Sequence, residues 1–96
     1  MIVRDGKRLR VQGSVTIKNV KSLLEAGLQQ LSPELKEIDF SGLQDVDSSA
    51  ISMVLEWLRV CRSRNLQLRV VNMPDNMKSL ASLYGVLELI PFSGGG

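Results

Sequence analysis

The stretch Asp39-Phe40-Ser41-Gly42-Leu43-Gln44-Asp45-Val46-Asp47-Ser48-Ser49-Ala50-Ile51 decides the reading of this chain. Glu37 to Ser41 alternates polar and apolar residues, as a strand does, and Gly42 ends the run. The polar segment Ser41 to Asp47 reads as a loop. At its end Asp47, Ser48 and Ser49 are three successive residues that each suit a helix N-cap, and one cap is enough. At least one small hydroxyl is therefore left over at a helix start, where free backbone N–H groups and the macrodipole favour negative charge. A phosphoryl group would be welcome there, although Asp45 and Asp47 oppose it. Residues 32–47 hold one basic and five acidic residues, so the most motif-like part of the chain is also its most acidic.

Downstream, Ser48 to about Arg64 carries the longest helical pattern, ended by Asn65. At 100° per residue Ile51, Val54, Leu55 and Leu58 form a core-facing arc, while Met53, Trp57 and Val60 extend the apolar surface beyond it. Trp is a favoured interface anchor and Met suits adaptable surfaces, so Met53 and Trp57 read as docking residues. On that reading Trp57→Ala leaves the fold intact and abolishes partner binding. Leu66–Val71 reads as a strand and Asn72-Met73-Pro74-Asp75 as a turn. Asn76–Tyr84 reads as a short helix stopped by Gly85. Tyr84 shares a helix face with Met77, Leu80 and Ala81, which fits either core packing or a partner contact. Leu87–Phe92 could add an edge strand, limited by Pro91.

Upstream, Asp5-Gly6-Lys7 separates two short β runs, Met1–Arg4 and Arg8–Gln12, in a hairpin pattern, and Gly13 breaks the second. Val20, Leu23, Leu24, Gly27, Leu28 and Leu31 recur at helical spacing, predicting a helix over about 17–31 that Ser32-Pro33 ends. The order ββαβαβα(β), with right-handed crossovers, predicts an α/β sandwich. Its sheet is mixed and four- to five-stranded, with about three helices packed on one face. One domain is expected over 1–92, with a flexible tail at 93–96.

Composition narrows the function. The 96 residues carry a net charge of +2, no His and one Cys. Without His the usual general base, metal ligand and Ser-His triad are missing. A single Cys allows no internal disulfide, and Cys61, at the edge of the apolar arc, reads as a small buried hydrophobe. The charge excess is too small for a nucleic-acid surface. No apolar run is long enough to span a membrane, no Lys-rich amphipathic helix inserts into one, and no glycine-rich phosphate loop is present. Asp39, Asp45 and Asp47 could supply acid–base chemistry or hold a divalent ion, but so small a chain offers little pocket. The expectation is a cytosolic binding module that is not an enzyme and uses no cofactor or metal. Its uncovered apolar patch permits a homodimer when isolated.

The pattern of apolar strand with an Asp, polar loop, Val46-Asp47-Ser48-Ser49-Ala50-Ile51, long helix, strand, Met-Pro turn and short helix resembles the STAS domain family over about Val3 to Ile90. The segment Leu80-Ala81-Ser82-Leu83-Tyr84-Gly85-Val86 is most similar to the small STAS subunits of bacterial ABC transporters that maintain outer-membrane lipid asymmetry. The resemblance implies a non-catalytic subunit that binds and regulates the transporter's cytosolic ATPase. Contact with the membrane permease would be indirect, and the subunit would sit in the cytoplasm, peripheral to the inner membrane. Contacts would come from Asp47, Ser48, Ser49, Met53, Trp57 and Tyr84. In anti-sigma-factor antagonists, the alternative within the family, the phosphorylated serine matches Ser49. In the transport subunits a functionally important Thr matches Ser48. Ser49, and beside it Ser48, are thus the phosphorylation candidates. Both groups often carry Gly where this chain has Ala50, whose Cβ hinders close approach of a partner backbone.

Overall fold

The structure, a computed structural model, describes residues 1–91. Two strands open the chain, β1 (Ile2–Asp5) and β2 (Arg8–Val15), followed by α1 (Val20–Gln30) and β3 (Glu37–Val46). Then come α2 (Ser48–Ser63), β4 (Arg69–Val71), α3 (Asp75–Leu83) and a short 3₁₀ turn at Leu87–Leu89. The sheet order is β1-β2-β3-β4, antiparallel between β1 and β2 and parallel across the other two pairs. This is the expected mixed α/β sheet with three helices.

The hairpin forms where the sequence places it. Asp5 pairs with Arg8, so Gly6 and Lys7 are the loop, and Gly6 takes the positive φ that a tight hairpin turn needs. One sheet face carries Leu9, Val11, Ile38, Phe40 and Val70, all fully buried in one core with Leu23, Val54, Trp57, Leu58 and Met77 from the helices. The opposite face carries a charge ladder. Arg8 donates to Glu37 at 3.0 Å and to Asp39 at 3.4 Å, and Arg10 pairs with Asp5 at 3.1 Å.

Two strand ends differ from expectation. Gly13 does not end β2, and the segment after Ser41 is not a loop. Both strands run on in parallel to a Val15–Val46 pairing. Gly13 (φ 82°) lies between two register shifts and lets the strand bend while pairing continues. Backbone pairing between two neighbours outweighs the local breaking tendency of an isolated glycine. The expected strand over Leu66–Val71 shortens to Arg69–Val71. Asn65, at positive φ, and Leu66, whose N–H donates to the Cys61 carbonyl, are used to close α2.

The first helix is also shorter than predicted. Thr16 to Asn19 forms a turn, in which the Asn19 side chain accepts from the Thr16 N–H and the Thr16 hydroxyl from the Lys18 N–H. Such local side-chain bonds compete with helix, so α1 begins only at Val20. The edge strand expected from Leu87 is instead the 3₁₀ turn, after which Ile90 is buried and the Pro91 carbonyl accepts from Val70 N–H at 2.8 Å. Phe92 and the tail expected at 93–96 lie outside the described residues.

Candidate docking site at the start of α2

The first turn of α2 is organised by Asp47. One carboxylate oxygen accepts from Ser49 N–H at 2.8 Å, capping the helix. The other accepts from Ile17 N–H at 3.0 Å, tying the β2–α1 turn to the same point. The Ile17 N–H does most to hold the Asp47 carboxyl below the usual carboxylate range. The Ser49 N–H and hydroxyl add to it and outweigh the partial desolvation of the group. With Asp47 committed as the cap, Ser48 is exposed and Ser49 half-buried.

The two serines look into different grooves. Ser48 lines a groove of about 300 Å³ between α2 and the end of α3, with Ile51, Leu55, Tyr84 and Val86. Ser49 lines one of about 420 Å³ between α2 and α1, with Ile17, Val20, Leu24 and Met53. Ser52, one turn along, borders both. The rims are apolar and open: Ile17 is 75% exposed and Tyr84 55%. Tyr84 escapes the core because α3 stops at Leu83, and Gly85, at positive φ, turns the chain away. The result is a polar mark, two hydroxyls over a capped helix start, set between two apolar flanks.

The docking roles expected of Trp57 and Met53 are corrected by the packing. Trp57 is fully buried and Met53 is 1% exposed. The helix α1 packs over Trp57. Its indole Nε1–H donates to the Leu24 carbonyl at 3.0 Å, and Gly27 leaves room for the ring, where an added Cβ would collide with it. Trp57→Ala would therefore damage the core rather than a free surface. Met53 reaches only the floor of the α1–α2 groove.

The three aspartates raised by the sequence for acid–base chemistry lie in different surroundings. Asp39 is 3% exposed on the outer sheet face. Burial pushes its carboxyl up, but the Ser41 N–H, the Asn72 side chain and Arg8 outweigh it and hold the group low. Asp45 is exposed. Among the described residues no three His, Cys, Asp or Glu could hold a metal ion. Burial pushes the Cys61 thiol up and away from reactivity.

The family model described as "Mlab, STAS domain" matches residues 2–91. The chain belongs to the STAS domain family. It is 32% identical over 60 residues to the intermembrane phospholipid transport system binding protein MlaB of Haemophilus influenzae. That match covers 62% of this chain and 57% of the relative, so the chain spans little more than half the length of the curated protein it matches. Among solved structures it is similar to the anti-sigma factor antagonist SpoIIAA in its unphosphorylated form. There the TM-score is 0.69 and the identity 14%, over 99% of this chain and 88% of that one. The Bacillus cell fate determinant SpoIIAA in its phosphorylated form gives a TM-score of 0.62 at 16% identity, over 99% and 91% of the two chains. At these identities the likeness is one of fold.

In this STAS chain, then, Asp47, Ser48, Ser49 and Tyr84 come together around the start of α2, and Trp57 and Met53 do not join them at the surface. Sequence reasoning missed Ile17, Leu55 and Val86. For Ile17 a signal was present: Thr16 and Asn19 on either side of Ile17-Lys18 are turn-forming residues that delay the helix and leave Ile17 outside it.

Proposed function

We propose that this chain is a non-catalytic STAS subunit that binds and regulates the cytosolic ATPase of an ABC transporter moving phospholipid between bacterial membranes. The observation that carries the reading is the exposed Ser48 hydroxyl at the capped start of α2, between apolar grooves rimmed by Ile17 and Tyr84. Such a surface suits a protein partner, because exposed apolar rims gain by being covered. The similarity to MlaB, named as a component of a phospholipid transport system, supports the choice of partner. No helix of the described residues is long and apolar enough to cross a membrane. The subunit would thus reach the inner membrane and its permease through the ATPase, from the cytoplasm, with no cofactor of its own.

A second reading is an anti-sigma-factor antagonist switched by phosphorylation of Ser49 or Ser48, and the SpoIIAA-like fold supports it. Ser49 is the less accessible of the two, and its N–H is already held by the Asp47 carboxylate, beside which a phosphoryl group would meet like charge. One experiment separates the readings. The tagged chain is expressed in its own host and pulled down gently from detergent-solubilised membranes. The expected companions are an ABC ATPase and its permease. A soluble anti-sigma kinase in their place would overturn the transport reading in favour of the second.

A further inference from the structure

Along α2 two surface grooves join end to end. The first runs from Ser48 past Tyr84 and Val86 to Leu55. The second, about 170 Å³, continues from Leu55 to Leu89 and Arg62. Leu55 lines both, so the trough follows α2 from its first turn to its last, about 21 Å at 1.5 Å per residue. Its outer wall is open and apolar, with Tyr84 55% and Leu89 56% exposed.

Charge is distributed unevenly along it. Arg59 is already engaged by Glu56 at 2.7 Å. Arg62, exposed at the far end, has no ion pair among the described residues. The trough thus offers an apolar middle and one uncommitted positive charge where it ends. Its walls at these positions are side chains of α2 and of the α3–Leu89 segment. A strand laid in it would find no backbone edge to pair with, whereas a helix satisfies its own backbone groups. A second copy of this chain, at a net charge of +2 overall, would have to turn its acidic 32–47 segment toward Arg62 to pair with it.

We propose that this trough receives an amphipathic helix of the ATPase partner, about four turns long. Its apolar stripe lies on Leu55, Tyr84 and Leu89, and a carboxylate near one end pairs with Arg62. The inference rests on the transport reading and adds to it the chemistry of the docking segment.

The test uses the full chain and the ABC ATPase subunit of the same host, with Kd measured by biolayer interferometry at low and moderate salt. Arg62→Glu is expected to weaken binding about tenfold and to reduce its salt dependence. Leu89→Glu, at an exposed position, is expected to weaken it to a similar extent with an unchanged melting temperature. Arg64→Glu makes the same charge change outside the trough and should stay within about twofold of the parent chain. If Arg62→Glu and Leu89→Glu bind like the parent while Ser48→Arg abolishes binding, the trough is refuted and the transport reading survives. If those two variants instead disrupt self-association of the isolated chain in sedimentation, with no effect on ATPase binding, the occupant is a second copy and the proposal fails. If the parent chain does not bind the ATPase at all, the transport reading fails and takes this proposal with it.

Discussion

At Trp57 the neighbouring helix comes so close that only a glycine fits against the indole, whereas at Ser48, about two and a half turns earlier on the same helix, the side chain stands in the open. Both positions belong to α2 and both looked like contact residues. What separates them is the element opposite. Gly27 lets α1 cover the middle of α2, while the stop of α3 at Leu83 leaves the start of α2 lined by a groove. Interface-favoured residue types do not by themselves mark a free surface; the neighbour decides whether a large aromatic is core or contact.

The sharpest way to break this contrast is Trp57→Ala. Removing a fully buried indole and its bond to Leu24 should cost about 3–5 kcal/mol. Against the stability of an ordinary domain that is severe, and urea unfolding followed by circular dichroism would show it. An unchanged midpoint would mean the ring is not packed as described. Gly27→Ala attacks the same contact from the other side. Its methyl would meet the Trp57 ring, so a loss of about 1–3 kcal/mol is expected, although alanine is otherwise the better helix former. A stabilised Gly27→Ala chain would show that α1 stands further from α2.

Asp47→Asn probes the other end. Asparagine keeps one acceptor for the Ser49 N–H but turns the second oxygen, which binds Ile17, into a donor. The melting temperature at neutral pH should fall by a few degrees. The pH dependence has a definite sign. A carboxyl held low in the folded state stabilises above its unfolded pKa, and that contribution is lost as pH falls through the folded value. The gap between the parent chain and Asp47→Asn should therefore be full near neutrality and narrow below about pH 4. A constant gap across that range would separate the effect from the charge. Smallest of all for stability, Tyr84→Ala should change it by less than about 0.5 kcal/mol while weakening ATPase binding. A large loss of stability would put Tyr84 back in the core.

Much of the fold was legible from spacing alone. The Asp5-Gly6 turn, the period of α2, the Gly85 stop and the one-sided burial of Leu9, Val11, Ile38 and Phe40 all follow from local chemistry. The misreadings share a cause. Gly13, Gly42 and the polar residues Gln44 and Asp45 favour a break, yet β2 and β3 continue because each supplies the other's backbone partners. That is a long-range fact no window of sequence contains. At the site, Asp47, Ser48 and Ser49 were legible because capping is local. Trp57 was misplaced because its fate depends on Gly27, thirty residues away in the chain. Leu89 gained meaning only once the groove set it beside Leu55 and Arg62.

The most direct test of the docking site is hydrogen exchange on the full chain with and without the host's ABC ATPase. In the free chain the start of α2 and the Tyr84–Leu89 segment should exchange faster than the buried middle of α2. The expected result is strong protection on binding in peptides covering Ser48–Ser52 and Tyr84–Leu89, with the Trp57 segment and β1–β2 unchanged. Protection confined to the charged outer face of the sheet, with the start of α2 still exchanging freely, would contradict the account.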